Sequence, residues 1–350
     1  MTSRIPVGLL GATGTVGQRF VERLADHPWF EIACVAASDR SRGRSYGEAA
    51  HWRLPTAIPD RLAGMRVCGA LDDLPCRLVF SALDAALARE VEPELARRGI
   101  LVFSNASAHR MDEDVPLLLP EINPESLRLL DRQRRNRSWT GGIVTNANCS
   151  TIVLALALAP LHRAFGIRRV FVATMQAVSG AGYPGVPSLD ILGNVIPDIP
   201  EEAEKIERET RRILGDLSDE RVTPARFEIS AMTCRVAVED GHTESVSVEL
   251  RKKAELSEVH AAWEEFRAPE GVRGLPSAPE RPVVPLTLPH RPQPRRDVDL
   301  GGGMSVTVGS LKPCPVFDWK FTALGHNTIR GAAGASVLNA EYACATGLLD

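Results

Sequence analysis

Cys149 is the residue of this sequence best suited to covalent chemistry. It stands in the run NANCST, residues 146–151, directly before an apolar stretch that begins at Ile152. A thiol beside the first turn of a helix has its thiolate stabilised by the helix dipole and by unpaired N–H groups, so we expect a lowered pKa. Asn146 and Asn148 can cap that helix or donate to a developing oxyanion. The context predicts a nucleophile, whereas the residue type alone is equally consistent with a buried structural thiol.

His242 is the candidate for proton transfer to or from such a nucleophile. It follows Gly241 at a turn between two alternating strand patterns, where a side chain is held rigidly and stays accessible to a ligand. Arg235 lies on the preceding strand, where its guanidinium can bind a carboxylate through two parallel hydrogen bonds or form a surface ion pair. The eight histidines include no HxxxH or HExxH pair and the seven cysteines no CxxC pair, so no metal site is predicted.

A glycine-rich loop near the N-terminus is typical of dinucleotide binding. Gly11, Gly14 and Gly17 have GxxGxxG spacing in GLLGATGTVGQRF, between a strand pattern and a helix pattern. Glycines permit a tight turn and a close backbone approach, and the helix N-terminus offers N–H groups to a pyrophosphate. A glycine-rich connection without a ligand is the alternative.

The segment after the second predicted strand indicates which dinucleotide binds. Asp39 offers an acceptor for ribose hydroxyls, as NAD sites do, whereas a 2′-phosphate needs cations and hydroxyls. The donors around this aspartate outnumber it: Ser38, Arg40, Ser41, Arg42 and Arg44. We therefore predict NADP, with a solvated basic loop as the alternative.

The N-terminal half must position these groups on a parallel sheet. Short β-branched runs alternate there with helical patterns, as in doubly wound α/β proteins. The predicted strands are residues 5–10, 31–37, 77–83 and 100–104, and the predicted crossover helices are residues 16–27 and 85–99. We therefore predict a Rossmann-like, doubly wound parallel sheet.

The second half has a different pattern, with longer alternating strands and few helices. The predicted strands are residues 168–178, 225–238, 243–250, 304–311 and 316–324, and the main predicted helix is residues 201–217. This pattern predicts an α+β domain with a mainly antiparallel sheet. Residues 276–294 contain seven prolines, so we expect an extended segment without regular structure.

The composition is that of an ordinary globular protein, with 44% hydrophobic residues and a net charge of -3. This charge gives no indication of nucleic-acid binding, and the longest helix-like apolar stretch, residues 152–160, is too short to span a membrane. The first residues lack the features of a secretion signal, and the odd number of cysteines argues against a disulfide framework. We therefore expect a cytoplasmic protein.

A set of motifs in family-like order and spacing resembles the aspartate-semialdehyde dehydrogenase family, in the branch typical of archaea and fungi. In chain order the motifs are GATGTVGQRF, SNASAHRM, VPLLLPEIN, TNANCST, MQAVSGAGYPG, EEAEKIERET, RVAVEDGHTESV, PQPR and GHNTIRGAAGASVLNAE. The resemblance extends from about residue 5 to the C-terminus, and NCST, QAVSGAGYPG and GHTESV are its most specific parts.

The resemblance implies a role for each residue that matches a family motif. Cys149 would be the nucleophile, Gln176 would orient the acyl group, and His242 would be the acid–base residue. Arg235 would bind the α-carboxylate of the substrate and Glu202 its α-ammonium. Phosphate would be held by Lys205, Arg110 and Asn148. Cofactor contacts would come from Gly11, Thr13, Gly14, Thr15, Val16, Ser38, Ser41, Ser179, Gly180 and Asn327.

The implied reaction is the reversible, NADPH-dependent reductive dephosphorylation of L-4-aspartyl phosphate through a Cys149 thioester, in the biosynthesis of lysine, threonine and methionine. Residues 1–147 would form the NADP-binding domain, completed by a C-terminal helix at residues 328–350. Residues 148–327 would form the catalytic and dimerisation domain. A homodimer is implied, and dimers of dimers occur in the family.

Two alternatives stay open at this point. Departures from the family pattern at Ala147, in GNVIPDIPEE and in VGSLKPCPVFDW fit a paralogue that reduces another acyl phosphate or an acyl-CoA, as a malonyl-CoA reductase of this branch does. Arg235 and Glu202 suit a zwitterionic amino acid better than CoA. A non-catalytic NADP sensor is the other alternative, but it would have no reason to keep Cys149, Gln176 and His242 together.

Overall fold

The computed structural model describes residues 4–349, which contain two six-stranded sheets and one two-stranded sheet. Residues 1–3 and 350, at the ends of the predicted N-terminal domain and its C-terminal helix, lie outside the described residues. Within the described range, no helix has both the length and the apolar character needed to cross a membrane.

The N-terminal sheet is parallel and doubly wound, as predicted. Its strands are β1 (Ile5–Leu10), β2 (Phe30–Ala36), β3 (Val67–Cys68), β4 (Leu78–Ser81), β5 (Leu101–Ser104) and β6 (Gly142–Thr145). Their order is β3-β2-β1-β4-β5-β6, and every neighbouring pair is parallel. The order reverses between β1 and β4, and doubly wound sheets bind ligands beyond the strand ends at that point.

Amphipathic helices cover this sheet. They are α1 (Thr15–Leu24), α2 (Tyr46–Ala49), α3 (Asp60–Ala63), α4 (Ala85–Arg97) and α5 (Leu129–Arg137). Helix α1 buries Phe20, Val21 and Leu24 on one face, and the Phe20 ring stacks on Phe80 of β4 with 5.0 Å between ring centroids. Burial of each such side chain contributes roughly 1.5–3 kcal/mol, which fixes the helix that follows the glycine loop.

The second sheet is antiparallel at its centre and parallel at both edges. Its strands are β7 (Ile167–Gln176), β10 (Glu228–Arg235), β11 (His242–Leu250), β12 (Val283–Leu286), β13 (Val306–Pro313) and β14 (Trp319–Gly325), and β8 (Asp216–Ser218) with β9 (Arg221–Thr223) forms a separate hairpin. The order is β10-β7-β11-β14-β13-β12, with β10–β7 and β12–β13 parallel. The predicted mainly antiparallel sheet is confirmed for the three central pairs.

One predicted helix and one segment predicted to be irregular differ from the structure. The helix predicted over residues 201–217 ends at Ile213, because the chain turns at Gly215 into β8. A Cβ at Gly215 would lie 2.3 Å from the carbonyl oxygen of Thr223 in β9, so the turn needs a close backbone approach. The proline-rich segment includes β12, although we expected no regular structure there. Pro285 is tolerated because β12 is an edge strand, where a missing N–H leaves no neighbour unpaired.

Helix α6 is the buried centre of the second half. The helices of this half are α6 (Cys149–Phe165), α7 (Ser188–Ile191), α8 (Glu202–Ile213), α9 (Leu256–Glu265), α10 (Pro294–Asp297) and α11 (Gly334–Ala345). Every residue of α6 from Ser150 to Leu161 is buried, as expected for a helix that is apolar all round. It contacts β11 and β14 of the sheet and also α8 and α9.

Helix α11 returns to the N-terminal sheet. Its residues Val337, Ala340 and Ala343 lie in the same hydrophobic core as Phe20 and Phe80. The side-chain amide of Asn339 donates to the carbonyl oxygen of Leu118 over 3.2 Å. The end of the chain therefore packs with residues near its beginning.

Candidate active site

Cys149 is the first residue of α6, at the N-terminus of a buried helix. Asn148 is the N-cap, and its side-chain oxygen accepts hydrogen bonds from the Ser150 and Thr151 amides over 3.0 and 3.1 Å. The predicted capping role of Asn148 is confirmed. Asn146 does not cap the helix, because its side-chain amide donates to Asn105 and to the carbonyl oxygen of Ala332. Cys149 itself is only partly buried.

The sheet brings His242 to Cys149. Strands β7 and β10 end at Gln176 and Arg235, which are register partners. The antiparallel strand β11 begins at His242, at the same end of the sheet. The distance between Cys149 Sγ and His242 Nε2 is 3.1 Å. The predicted partners therefore lie in direct contact, 93 residues apart in sequence.

A backbone amide determines which ring nitrogen of His242 carries the proton. The Ala177 N–H donates to His242 Nδ1 over 3.1 Å. A neutral imidazole has one donor and one acceptor nitrogen, so an acceptor Nδ1 leaves the proton on Nε2. The Nε2–H group then points at the sulfur of Cys149.

The expected low pKa of Cys149 is wrong for this structure. Burial raises the pKa of Cys149 to about 12, and the nearby Glu202 carboxylate raises it further, whereas Arg110 and Arg235 act in the opposite direction. Burial also lowers the pKa of His242 to about 3, assisted by Arg235 and His326. The raised pKa of the thiol and the lowered pKa of the imidazole both favour the uncharged forms, because burial removes the hydration of each charged form.

Gly180 lies against both Arg235 and His242. A Cβ at this position would be 2.8 Å from Arg235 Nη1 and 3.0 Å from His242 Cε1. Arg235 Nη1 also donates to the carbonyl oxygen of Ala177 over 2.9 Å, and its side chain is buried at the end of β10. The ordinary interpretation of Arg235 as a surface ion-pair residue is therefore wrong.

Glu202 connects two amide side chains of the site. Its Oε1 accepts from Asn148 Nδ2 over 2.7 Å and from Gln176 Nε2 over 3.2 Å. Lys205, one turn along α8, is not part of this group among the described residues; its Nζ lies 3.3 Å from the exposed carboxylate of Glu201. The structure thus brings Glu202, Asn148 and Gln176 together and leaves Lys205 beside them at the surface.

Glu209 is a further residue of the site that was not predicted from the sequence. Its Oε1 accepts from Arg110 Nη1 over 3.2 Å, and its Oε2 accepts from the backbone N–H of Asn148 over 2.6 Å. Arg110 Nη2 also donates to the carbonyl oxygen of Asn105 over 2.6 Å. The spacing from Glu202 to Glu209 is two helical turns, which places both on one face of α8 and is the signal that could have found it.

The glycine loop fits a dinucleotide. Gly11 has a φ of +70°, and a Cβ there would lie 2.6 Å from the carbonyl oxygen of Ala82, so only glycine fits. Gly14 is the N-cap of α1 and supplies no side-chain hydrogen bond, which leaves first-turn N–H groups for an anion. Thr13 lies in the loop between β1 and α1, Thr15 and Val16 are the first two residues of α1, and all three are only partly buried.

The loop after β2 contains two serine hydroxyls, and two of its three arginines already have hydrogen-bond partners within the chain. Ser38 is exposed and Ser41 partly buried, and the Ser41 amide donates to the Ser38 carbonyl oxygen over 2.8 Å in a turn. Arg42 pairs with Asp72 over 2.6 Å, and Arg44 donates to the carbonyl oxygen of Glu48 over 2.6 Å. Asp39 and Arg40 are exposed beside the two serines.

The remaining cofactor candidates lie in one hydrogen-bonded network. Asn327 accepts from the Gly241 amide over 2.8 Å and donates to Ser179 Oγ over 2.8 Å. Ser179 Oγ donates to Asp240 over 2.7 Å, and Asp240 pairs with Arg19 of α1 over 3.0 Å. The network therefore connects the glycine-loop helix with the residue that precedes His242. Within residues 4–349, no cluster of three or more His, Cys, Asp or Glu side chains is arranged to hold a metal ion.

Comparison with known proteins gives consistent matches along the chain. Residues 6–130 match the family described as semialdehyde dehydrogenase, NAD binding domain, and residues 158–330 match semialdehyde dehydrogenase, dimerisation domain. The aspartate-semialdehyde dehydrogenase of Methanothermobacter thermautotrophicus is 52% identical over 343 residues, covering 96% of this chain and 98% of that protein. The enzyme of the same name from Cryptococcus neoformans is 44% identical over 360 residues and covers 99% of each.

A solved structure is also similar over nearly the whole chain. It is the crystal structure of aspartate semialdehyde dehydrogenase with NADP from Candida albicans, with a TM-score of 0.90 and 37% sequence identity. The match covers 99% of this chain and 100% of that one. The two-sheet arrangement described above is therefore shared with that enzyme.

Proposed function

Because the chain belongs to the aspartate-semialdehyde dehydrogenase family, we propose that it catalyses the reversible, NADP-dependent reductive dephosphorylation of L-4-aspartyl phosphate to L-aspartate 4-semialdehyde. The observation that carries this proposal is the 3.1 Å contact between Cys149 Sγ and His242 Nε2. A cysteine at a helix N-terminus, in contact with a buried histidine and near a dinucleotide loop, suits thioester chemistry.

Cys149 is the proposed nucleophile. Its thiolate attacks the acyl carbonyl carbon of aspartyl phosphate, and the tetrahedral intermediate expels phosphate to leave a thioester on the sulfur. Because the pKa of the thiol is about 12, the resting group is protonated. It loses its proton as the carbon–sulfur bond forms, the expelled phosphate takes that proton up, and the negative charge that develops on sulfur must be stabilised. The α6 N-terminus, Arg110 and Arg235 supply favourable charge for this, as does the Nε2–H of His242.

His242 acts in this proposal as a hydrogen-bond donor. Its Nε2–H, fixed by the Ala177 amide, stabilises the thiolate and then the oxyanion of the thiohemiacetal. That oxyanion can form the aldehyde and release the thiolate without any proton transfer. We propose this donation from a neutral ring in place of the acid–base role that the family resemblance implies for His242.

Arg235 and Glu202 are proposed to bind the two charged groups of the amino acid. Arg235 Nη1 is already held by the Ala177 carbonyl, and the guanidinium lies beside His242 through their shared contact with Gly180. Its planar fork can hold the α-carboxylate at two points. Glu202 lies between Asn148 and Gln176, where its carboxylate can accept the α-ammonium. This pair favours an amino-acid substrate over an acyl-CoA.

Phosphate is proposed to bind at Arg110, Lys205 and Asn148. Arg110 is buried, and its Nε has no hydrogen-bond partner in the described structure. An unpaired buried donor on a cation is suited to an anionic oxygen, since leaving it unpaired costs about 1–3 kcal/mol. Lys205, partly exposed on α8 one turn after Glu202, can add a second positive charge.

The cofactor is proposed to be NADP, which supplies or accepts the hydride at its nicotinamide ring when bound. Gly11, Gly14 and the α1 N-terminus fit the pyrophosphate, because the loop is open there and uncapped. Ser38 and Ser41 would donate to the 2′-phosphate, with Arg40 near them. Ser179 and Asn327 would position the cofactor from the second half of the chain.

We also propose a homodimer built on the β10 edge. Leu189, Leu192 and Val195 are 91%, 68% and 53% exposed, and Met232 of β10 is 54% exposed. Ile196, the residue after Val195, bridges to Arg235 at the end of β10, so this segment lies beside the β10 strand. Large exposed apolar side chains suit an interaction surface, and the matching family segment is named for dimerisation. Pairing of two such dimers would give the homotetramer. Light scattering after size exclusion distinguishes these states.

The proposed domain division is residues 1–147 with 328–350, and residues 148–327. It is supported by the packing of α11 in the core of the N-terminal sheet. We further propose a cytoplasmic location and a part in the biosynthesis of lysine, threonine and methionine. Within residues 4–349 no cysteine forms a disulfide bond, which suits a reducing compartment.

The test of the proposed reaction compares two substrates. Aspartate semialdehyde with phosphate and NADP should give NADPH, and omission of phosphate should abolish steady turnover. Malonyl-CoA with NADPH is the parallel assay. A faster reaction with malonyl-CoA, or none with either substrate, would contradict the proposal.

A further inference from the structure

Glu209 lies at the junction of three elements of the site. It is on α8 and buried, with 1% of its surface exposed. One carboxylate oxygen accepts from Arg110 Nη1 at 3.2 Å, and the other accepts from the Asn148 backbone amide at 2.6 Å. These partners are 99 and 61 residues away in sequence. A single carboxylate thus joins the loop after β5 to the start of α6.

The contact with Asn148 fixes the nucleophile. Asn148 precedes Cys149 and caps α6 through its side chain, while its own N–H is taken by Glu209. The Ala147–Asn148 peptide is therefore held by Glu209, and the side chain of Asn148 is held by the first turn of α6. A shift of this peptide would move the sulfur relative to His242.

The contact with Arg110 fixes a cation beside the same peptide. Arg110 Nη1 and Nη2 are held by Glu209 and by the Asn105 carbonyl oxygen, and Nε is buried without a partner. Two of the guanidinium nitrogens are thus bound to protein, and the third has an unused donor. The direction of that donor is set by the two contacts that hold the group.

We propose that Glu209 is a positioning residue that aligns Arg110 with Cys149, so that phosphate binds next to the thioester carbon. This inference rests on the proposed function of the site. Both carboxylate oxygens are required, because each holds a different partner. A residue with one acceptor can satisfy only one of the two contacts.

The test uses two variants of Glu209 and one matched control. Glu209→Gln keeps the shape but turns one acceptor into a donor, and Glu209→Asp keeps the charge but shortens the reach. Glu207→Gln is the control, because Glu207 is on the same helix and its carboxylate accepts from the Ala231 amide of β10 at 2.9 Å. Melting temperature and NADP affinity are measured for all variants.

Both Glu209 variants should raise KM for phosphate by about tenfold or more, since a displacement of ~1 Å can cost about 10²-fold in rate. KM for NADP should stay within about twofold of wild type, and Glu207→Gln should behave as wild type. A lower phosphate KM in Glu209→Gln would instead mean that the carboxylate only weakens the charge of Arg110, and would overturn the proposal.

A second measurement does not depend on turnover. Phosphate should slow alkylation of Cys149 by iodoacetamide in the wild type, and about tenfold more phosphate should be needed in Glu209→Asp. Equal half-protective concentrations would contradict the role of Glu209. Phosphate protection of the wild type without NADPH formation from aspartate semialdehyde would contradict the proposed reaction. The comparison of half-protective phosphate concentrations would still decide the role of Glu209.

Discussion

Gly180→Ala tests whether Arg235 and His242 are positioned as closely as the structure indicates. The φ of Gly180 is not positive, so alanine is compatible with the backbone. The added Cβ would lie 2.8 Å from Arg235 Nη1 and 3.0 Å from His242 Cε1, where ordinary contacts begin at 3.4 Å. Both side chains must therefore move by roughly half an ångström, and a displacement of ~1 Å can cost about 10²-fold in rate.

We expect kcat/KM for aspartate semialdehyde to fall by about tenfold to 10²-fold, with little change in melting temperature. The assay is NADPH formation at fixed phosphate. Gly64→Ala is the control, because its Cβ would meet nothing within 4 Å and its φ is also not positive. Wild-type kcat/KM in Gly180→Ala would refute the placement of these two side chains.

Three further outcomes are expected. His242→Ala should lose on the order of 10²–10³ in kcat, as for other oxyanion donors, whereas His242→Gln should retain at least about tenfold more activity because its amide can donate; equal loss would favour an obligatory base. Arg235→Lys should raise KM and lower kcat for aspartate semialdehyde, since lysine keeps the charge but loses the fork; unchanged kinetics would remove Arg235 from the substrate site. The rate of Cys149 alkylation should rise about tenfold per pH unit from about pH 6 to about pH 9, because the thiol titrates with a pKa of about 12; a plateau in this range would contradict the raised pKa.

The sequence predicts what depends on local pattern. The glycine loop, its helix and four of the six parallel strands follow from short-range patterns, whereas β3 and β6 were not predicted. Asn148 caps α6 as its residue type favours. The helix over 201–217 was too long, because its end at Ile213 depends on the contact of Gly215 with Thr223 in the neighbouring hairpin strand. Strand β12 was not predicted because it also depends on a distant partner: the proline-rich segment becomes a strand by pairing with β13.

The chemistry of the site was harder to predict from the sequence than the fold, because more of it depends on tertiary packing. A helix N-terminus is visible in the sequence, but the burial that raises the pKa of Cys149 is produced by packing of distant elements. Glu209 was missed because its partners, Arg110 and Asn148, are brought to it by tertiary structure. Ala177 contributes only a backbone N–H to His242, so its residue type carries no signal of that contact.

Trapping of the thioester tests the central claim most directly. Wild-type protein is mixed with aspartate semialdehyde and NADP in the absence of phosphate, quenched in acid, and digested for mass spectrometry. We predict one equivalent of NADPH per active site and an aspartyl thioester on the peptide that contains Cys149, which added phosphate releases. The Cys149→Ser variant should form neither. NADPH formation without an adduct on Cys149, or unchanged turnover in Cys149→Ser, would contradict the covalent mechanism.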